Sequence, residues 1–130
     1  MSEAKKILVV EDDALLAKLL TEALMEAGFA ESGYKVKNIA NGLKVREAVQ
    51  DFGPDIILLD LILPGLDGFA VLKQLKSEDK TKDVPVVIIS NLGDAADIKS
   101  AKALGAEEYF IKANTQLVKI VDFVKKIISL

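Results

Sequence analysis

The chain has 130 residues, a formal net charge of −3, and neither cysteine nor histidine. Those absences exclude disulfides, thiolate and imidazole metal sites, and histidine nucleophiles or bases within it. Chemistry here rests on carboxylates, lysine, hydroxyls and the backbone. The length fits one domain, and an apolar share of 51% can fill a sizeable core. No global basic field draws nucleic acid or an anionic membrane. No apolar run is long enough for a secretory signal or a membrane span. A cytoplasmic protein without direct nucleic-acid contact or membrane insertion is expected.

Short β-branched runs alternate with segments of helical period. Ile7 to Val10 predicts the first strand. Ala14 to Ala27 predicts a helix with Leu16, Leu20, Ala23, Leu24 and Ala27 inward, stopped by Gly28. Tyr34 to Ile39 reads as the second strand, and Leu43 to Phe52 as a helix ended by Gly53-Pro54. Ile56 to Leu59 is the third strand, and Phe69 to Lys76 the third helix. Val86 to Ile89 is the fourth strand, and Asp94 to Leu104 the fourth helix, closed by Gly105. Glu108 to Ile111 is the fifth strand. Leu117 to Leu130 is the last helix, with Asn114 or Thr115 as its N-cap. Strands three and four are continuous apolar runs, as expected where helices cover both faces. The alternation predicts an α/β domain with a parallel sheet, one domain over residues 1–130 and no output domain.

Ligands of open α/β sheets bind beyond the carboxyl ends of the strands. Glu11, Asp12 and Asp13 follow strand one, Asp60 strand three, Ser90 and Asn91 strand four, and Lys112 strand five. Ala40 and Asn41, after strand two, carry no charge. Clustered carboxylates repel one another, and a hard cation that prefers oxygen ligands removes the conflict. A carboxylate beside such a cation can attack a phosphoryl group, while an ammonium and a hydroxyl hold its oxygens. Asp60 interrupts an apolar run, where an unpaired carboxylate is costly. Asp13 reads as a helix N-cap.

The segments Ile7-Leu-Val-Val-Glu-Asp-Asp13 and Asp55-Ile-Ile-Leu-Leu-Asp60-Leu-Ile-Leu-Pro64-Gly-Leu-Asp-Gly68, with Lys112, resemble the receiver domains of response regulators, over nearly the whole chain. The chemotaxis receiver is of this single-domain type. The resemblance implies a flavodoxin-like (βα)5 fold with strand order 2-1-3-4-5. It implies that Asp60 is the phosphoacceptor. Glu11, Asp12, Asp60 and the Ile62 backbone carbonyl would hold Mg²⁺ or Mn²⁺, with Asp12 the direct ligand of the acidic pair. Ser90 corresponds to the switch hydroxyl, Lys112 to the phosphate-pairing lysine and Tyr109 to the switch aromatic. The implied role is a phosphorelay switch, not an enzyme beyond weak self-phosphorylation and self-dephosphorylation. The implied donor is a histidine kinase or histidine phosphotransfer protein. A downstream protein partner, or a second copy, would read the surface of helix four, strand five and helix five, which includes Ile98, Lys102, Tyr109 and Lys119.

Several positions depart from the family pattern. Ala113 stands where proline, often after a cis bond, usually follows the lysine; a cis bond at Ala113 is not expected. Asn91 replaces a small residue and is placed to crowd or hydrogen-bond the phosphoryl group. Ile62 and Leu92 are apolar near the attacking water, which predicts slow self-dephosphorylation. The stretch Gly28 to Gly33 is longer than usual, with no assigned role. An aspartyl phosphohydrolase is the enzymatic alternative, but Ile62 takes the place of its second carboxylate. A non-phosphorylated interaction module is another, opposed by Asp60, Asp12 and Lys112. A nucleotide or flavin protein would need a Gly-rich loop after strand one, which is absent.

Overall fold

The computed structural model describes residues 4–28 and 33–128. Five strands alternate with five helices: β1 (Lys5–Val10), α1 (Ala14–Gly28), β2 (Tyr34–Ile39), α2 (Val45–Phe52), β3 (Ile56–Leu59), α3 (Gly68–Ser77), β4 (Val86–Ser90), α4 (Ala95–Ala103), β5 (Glu108–Ile111) and α5 (Leu117–Ile128). Single 3-10 turns occupy Gly42–Lys44 and Lys112–Asn114. All neighbouring strands are parallel, in the order β2-β1-β3-β4-β5. The expected strand order is therefore found.

Strand side chains alternate between two faces, and two cores follow from that period. Leu8, Val10, Ile57, Leu59, Val86 and Ile88 face α2, α3 and α4, meeting Val45, Val49, Val71, Leu72, Leu75 and Ala101. Ile7, Val9, Ile56, Leu58, Val87 and Ile89 face α1 and α5, meeting Leu20, Leu24, Ile120, Val121 and Val124. Each large aliphatic side chain so buried contributes about 1.5–3 kcal/mol. The outer strand β2 instead exposes Lys35 and Lys37, charges that discourage pairing at an open sheet edge.

Several boundaries differ from expectation for local reasons. β1 starts at Lys5, because Lys5 and Lys6 pair with Tyr34 and Lys35 in a ladder that apolar runs do not reveal. The segment from Leu43 enters α2 through a 3-10 turn, in which the Asn41 side chain accepts the Leu43 N–H at 2.8 Å. α2 closes on Gly53, whose φ of 64° suits a residue without Cβ. α5 begins at Leu117, after the second 3-10 turn, so neither Asn114 nor Thr115 immediately precedes it. Its expected last two residues, and residues 29–32 of the long Gly28–Gly33 stretch, lie outside the described residues.

Candidate functional site

The sheet brings four strand ends together. The Asp60 N–H donates to the Val10 carbonyl at 3.0 Å, extending the β1–β3 ladder one step beyond its last pair and setting Asp60 beside the acidic turn. Asp60 is only 4% exposed. Its Oδ1 accepts the Ile62 N–H at 3.0 Å, and its Oδ2 meets Lys112 Nζ at 2.6 Å. Lys112 also reaches Glu11 Oε1 at 2.7 Å, so one ammonium bridges two buried carboxylates. Glu11 Oε2 accepts the Asp13 N–H at 3.0 Å. Asp12 is exposed and makes no hydrogen bond or ion pair among the described residues. Asp13 caps α1, its Oδ1 accepting the N–H groups of Leu15 and Leu16 at 3.1 and 3.2 Å.

Burial raises the Glu11 pKa, and the Asp60 charge adds to it, against the lowering by Lys112 and the Asp13 N–H. Burial alone would lower the Lys112 pKa, but hydrogen bonds and charge from Asp60 and Glu11 raise it. The two directions agree physically. The ammonium sees two carboxylates, whereas each carboxylate shares one ammonium and faces another carboxylate. Carboxylate oxygens of Glu11, Asp12 and Asp60 all lie within 4.8 Å of one another. Three oxygen donors so close, with one carboxylate facing solvent, suit a hard divalent cation that keeps several waters.

Ser90 is fully buried, and its Oγ accepts the Leu92 N–H at 3.3 Å. Tyr109 is 8% exposed, packed in the core beneath α2, α3 and α4. Its hydroxyl donates to the Leu92 carbonyl at 2.5 Å, and burial raises its pKa. Of the expected recognition surface, Lys102 and Lys119 are exposed and Ile98 is half-buried. Tyr109 is a correction: tucked inward by its bond to Leu92, it contributes almost no surface here. Asn91 directly follows Ser90. Its Oδ1 accepts the Ala113 N–H at 3.0 Å, so its acceptor is turned to the backbone after Lys112. The described residues include no cis peptide bond, at Ala113 or elsewhere.

Sequence reasoning passed over two supports. The Asn38 amide, on β2, donates to the carbonyls of Val9 and Glu11 at 3.0 and 3.2 Å, which fixes the start of the acidic turn. An asparagine within a strand, where that residue is disfavoured, was the available signal. Gly68 is buried against the Asp60–Leu61 backbone, where an added Cβ would lie 2.4 Å from the Asp60 carbonyl oxygen and 2.3 Å from Leu61 Cα.

Residues 7–125 match the family described as the response regulator receiver domain. The chain belongs to that family. It is similar to the sporulation initiation phosphotransferase F of Bacillus subtilis, with 36% identity over 97% of this chain and 95% of the relative. It is also similar to the DNA-binding dual master transcriptional regulator RpaA of Synechocystis, with 34% identity over 82% of this chain and 42% of the relative. The chain thus spans less than half the length of several curated relatives it matches. The crystal structure of a phosphorylated cyanobacterial phytochrome response regulator, RcpA, superposes with a TM-score of 0.83 at 32% identity, over 95% of this chain and 92% of that one. A Mn²⁺-bound form of the response regulator Rcp1 gives 0.75 at 26% identity, over 94% and 92%. The fold and family are those of a two-component signalling receiver, whose general role is that of a phosphoacceptor switch. The grouping of Glu11, Asp12 and Asp60 is the arrangement with which receivers bind Mg²⁺.

Proposed function

We propose that Asp60 accepts a phosphoryl group and that this changes a protein-recognition surface of the domain. One observation carries the reading: a nearly buried Asp60 carboxylate lies 2.6 Å from Lys112 and within the carboxylate cluster formed with Glu11 and Asp12. The donor is a phosphohistidine of a kinase or phosphotransfer protein, since this chain has no histidine. An Asp60 oxygen attacks phosphorus in line. The donor P–N bond breaks, its electron pair leaves with the imidazole nitrogen, and that nitrogen takes a proton from water.

Glu11, Asp12, Asp60 and the Ile62 carbonyl would hold Mg²⁺, or Mn²⁺ in its place. The ion supplies charge neutralisation for the phosphoryl oxygens. Lys112 exchanges its Asp60 contact for a phosphoryl oxygen. Ser90 gives up its role as acceptor from the Leu92 N–H and donates to another. Moving Ser90 draws on Leu92, and Leu92 holds the Tyr109 hydroxyl. Phosphorylation therefore shifts an equilibrium between two arrangements of the β4–α4 loop and Tyr109. The reader of that change is a protein on the α4–β5–α5 face, which is also the face for any self-association. The setting is the cytoplasm, with no direct contact to nucleic acid.

The test is intact mass after incubation with a small phosphodonor, with and without Mg²⁺, for the wild type and Asp60→Ala. One Mg²⁺-dependent adduct on the wild type and none on the variant is expected. An adduct that survives in Asp60→Ala would overturn the assignment.

A further inference from the structure

We propose that Asn91 is a positioning residue, which fixes the Lys112 loop through a hydrogen bond available only because residue 113 is not proline. The inference rests on the reading of Asp60, Lys112 and Ser90 above and extends it. Asn91 directly follows Ser90 at the end of β4, and Ala113 directly follows Lys112 at the end of β5. Their sequence neighbours are thus the two residues assigned to the phosphoryl oxygens. The last ladder pair between these strands is Ser90 with Ile111. Beyond it the chain leaves the sheet in the Lys112–Asn114 turn, whose preceding residue, Ile111, offers no side-chain cap. The leading N–H groups of such a turn lack internal partners. Asn91 supplies one from the neighbouring strand, accepting the Ala113 N–H at 3.0 Å.

The bond has a specific target. A lysine ammonium rides on a flexible four-carbon stem, so its placement depends on how firmly the backbone below it is held. Lys112 Nζ stands 2.6 Å from Asp60 and 2.7 Å from Glu11, the place from which it would meet an incoming phosphoryl oxygen. Anchoring the adjacent peptide narrows the positions from which the ammonium can reach. Proline at 113 would have no N–H to give and would disfavour the helical backbone that Lys112 adopts in the turn. Asn91 and Ala113 therefore form a matched pair. The pair also joins the loop that carries Ser90 to the loop that carries Lys112.

The experiment is a double-mutant cycle on the full chain, reading the rate of Mg²⁺-dependent adduct formation with acetyl phosphate. The four proteins are the wild type, Asn91→Leu, Lys112→Ala and the double variant. Leucine keeps the size of asparagine and removes the acceptor. Asn91→Leu is expected to slow the reaction about fivefold beside Lys112, the effect of one ordinary hydrogen bond, and to change nothing in the Lys112→Ala background. Equal slowing in both backgrounds, or none beside Lys112, overturns the inference, because crowding or loosening of the site would act without Lys112. A wild type that takes no phosphoryl group overturns the reading of Asp60 and the inference with it. A second measurement needs no variant: the wild-type Ala113 amide should exchange about tenfold more slowly than an unprotected one. An unprotected Ala113 amide overturns the inference.

Discussion

Lys112 and Asp60 stand 52 residues apart in the chain and 2.6 Å apart in space, joined by an ion pair in which Lys112 also holds Glu11. The lysine is the counter-charge of the metal-free site. Replacing it by Met leaves two nearly buried carboxylates without their cation. Lys112→Met should destabilise the metal-free protein by about 2 kcal/mol, less than for a fully buried pair because the lysine is partly exposed. Mg²⁺ should then raise the urea midpoint more in the variant than in the wild type. Equal Mg²⁺ effects in the two proteins would refute this account of the charge balance.

Gly68 begins α3 and donates its N–H to the Leu61 carbonyl at 2.9 Å, which holds the loop after Asp60 against the helix. A methyl group there meets backbone atoms, which cannot rotate away. Gly68→Ala should cost about 1–3 kcal/mol of stability and slow adduct formation on Asp60. A variant with wild-type stability and rate would show that the loop relaxes freely.

The features legible in the sequence were those fixed by side-chain period and strand position. Ile56 to Leu59 reads as a buried strand because four apolar residues fit no exposed element, and Asp60 then has to stand at its carboxyl end. Lys112, Ser90 and the acidic pair follow from the same rule. The Asn91–Ala113 bond was not legible, since it joins two loops that approach only after the sheet has formed. The 3-10 turns at Gly42–Lys44 and Lys112–Asn114 carry no periodic signal at three residues each. Tyr109 reads evenly as half-buried packing or as the switch aromatic, and no sequence pattern shows that its hydroxyl meets the Leu92 carbonyl.

Tyr109 sets an alkaline limit on stability. Its pKa in the folded protein is raised above the ordinary 10.0, first by burial. Below pH 10.0 both folded and unfolded chains hold the phenol proton, and its contribution is fully present. As pH rises further the unfolded chain loses the proton first, so the contribution falls until the folded pKa is passed. Tyr109→Phe should therefore lose less stability than the wild type on going from pH 9 to pH 11, roughly the span around the phenol's ordinary pKa. Parallel curves of stability against pH would refute the assignment.

Ile62, two residues after Asp60, places an exposed apolar side chain beside it. A water attacking an acyl phosphate there finds no side-chain partner at Ile62. Ile62→Asn should supply one and shorten the lifetime of the phosphorylated protein about tenfold, a modest gain from orienting the nucleophile. The decay of the intact-mass adduct after removal of phosphodonor measures it. Decay no faster than that of the wild type would assign the lifetime to other groups.

Leu15 and Leu19, one turn apart on α1, are 66% and 42% exposed. With Asp13, Leu16, Asn91, Lys112 and Ala113 they line a shallow depression of about 360 Å³ beside the site. If a phosphohistidine protein is the donor, as proposed above, it would bring its phosphoryl group to Asp60 past this rim, and an apolar face on it would cover both leucines. A small phosphodonor has no such need. Leu15→Asp should therefore slow transfer from the cognate protein donor at least tenfold, the cost of burying an unpaired carboxylate in an interface. The rate with a small phosphodonor should stay near that of the wild type, because Leu15 is an exposed rim residue with no polar group to offer the phosphoryl oxygens. Equal slowing with both donors would place the effect in the site itself rather than in docking. No slowing with either would move the donor's approach to another face.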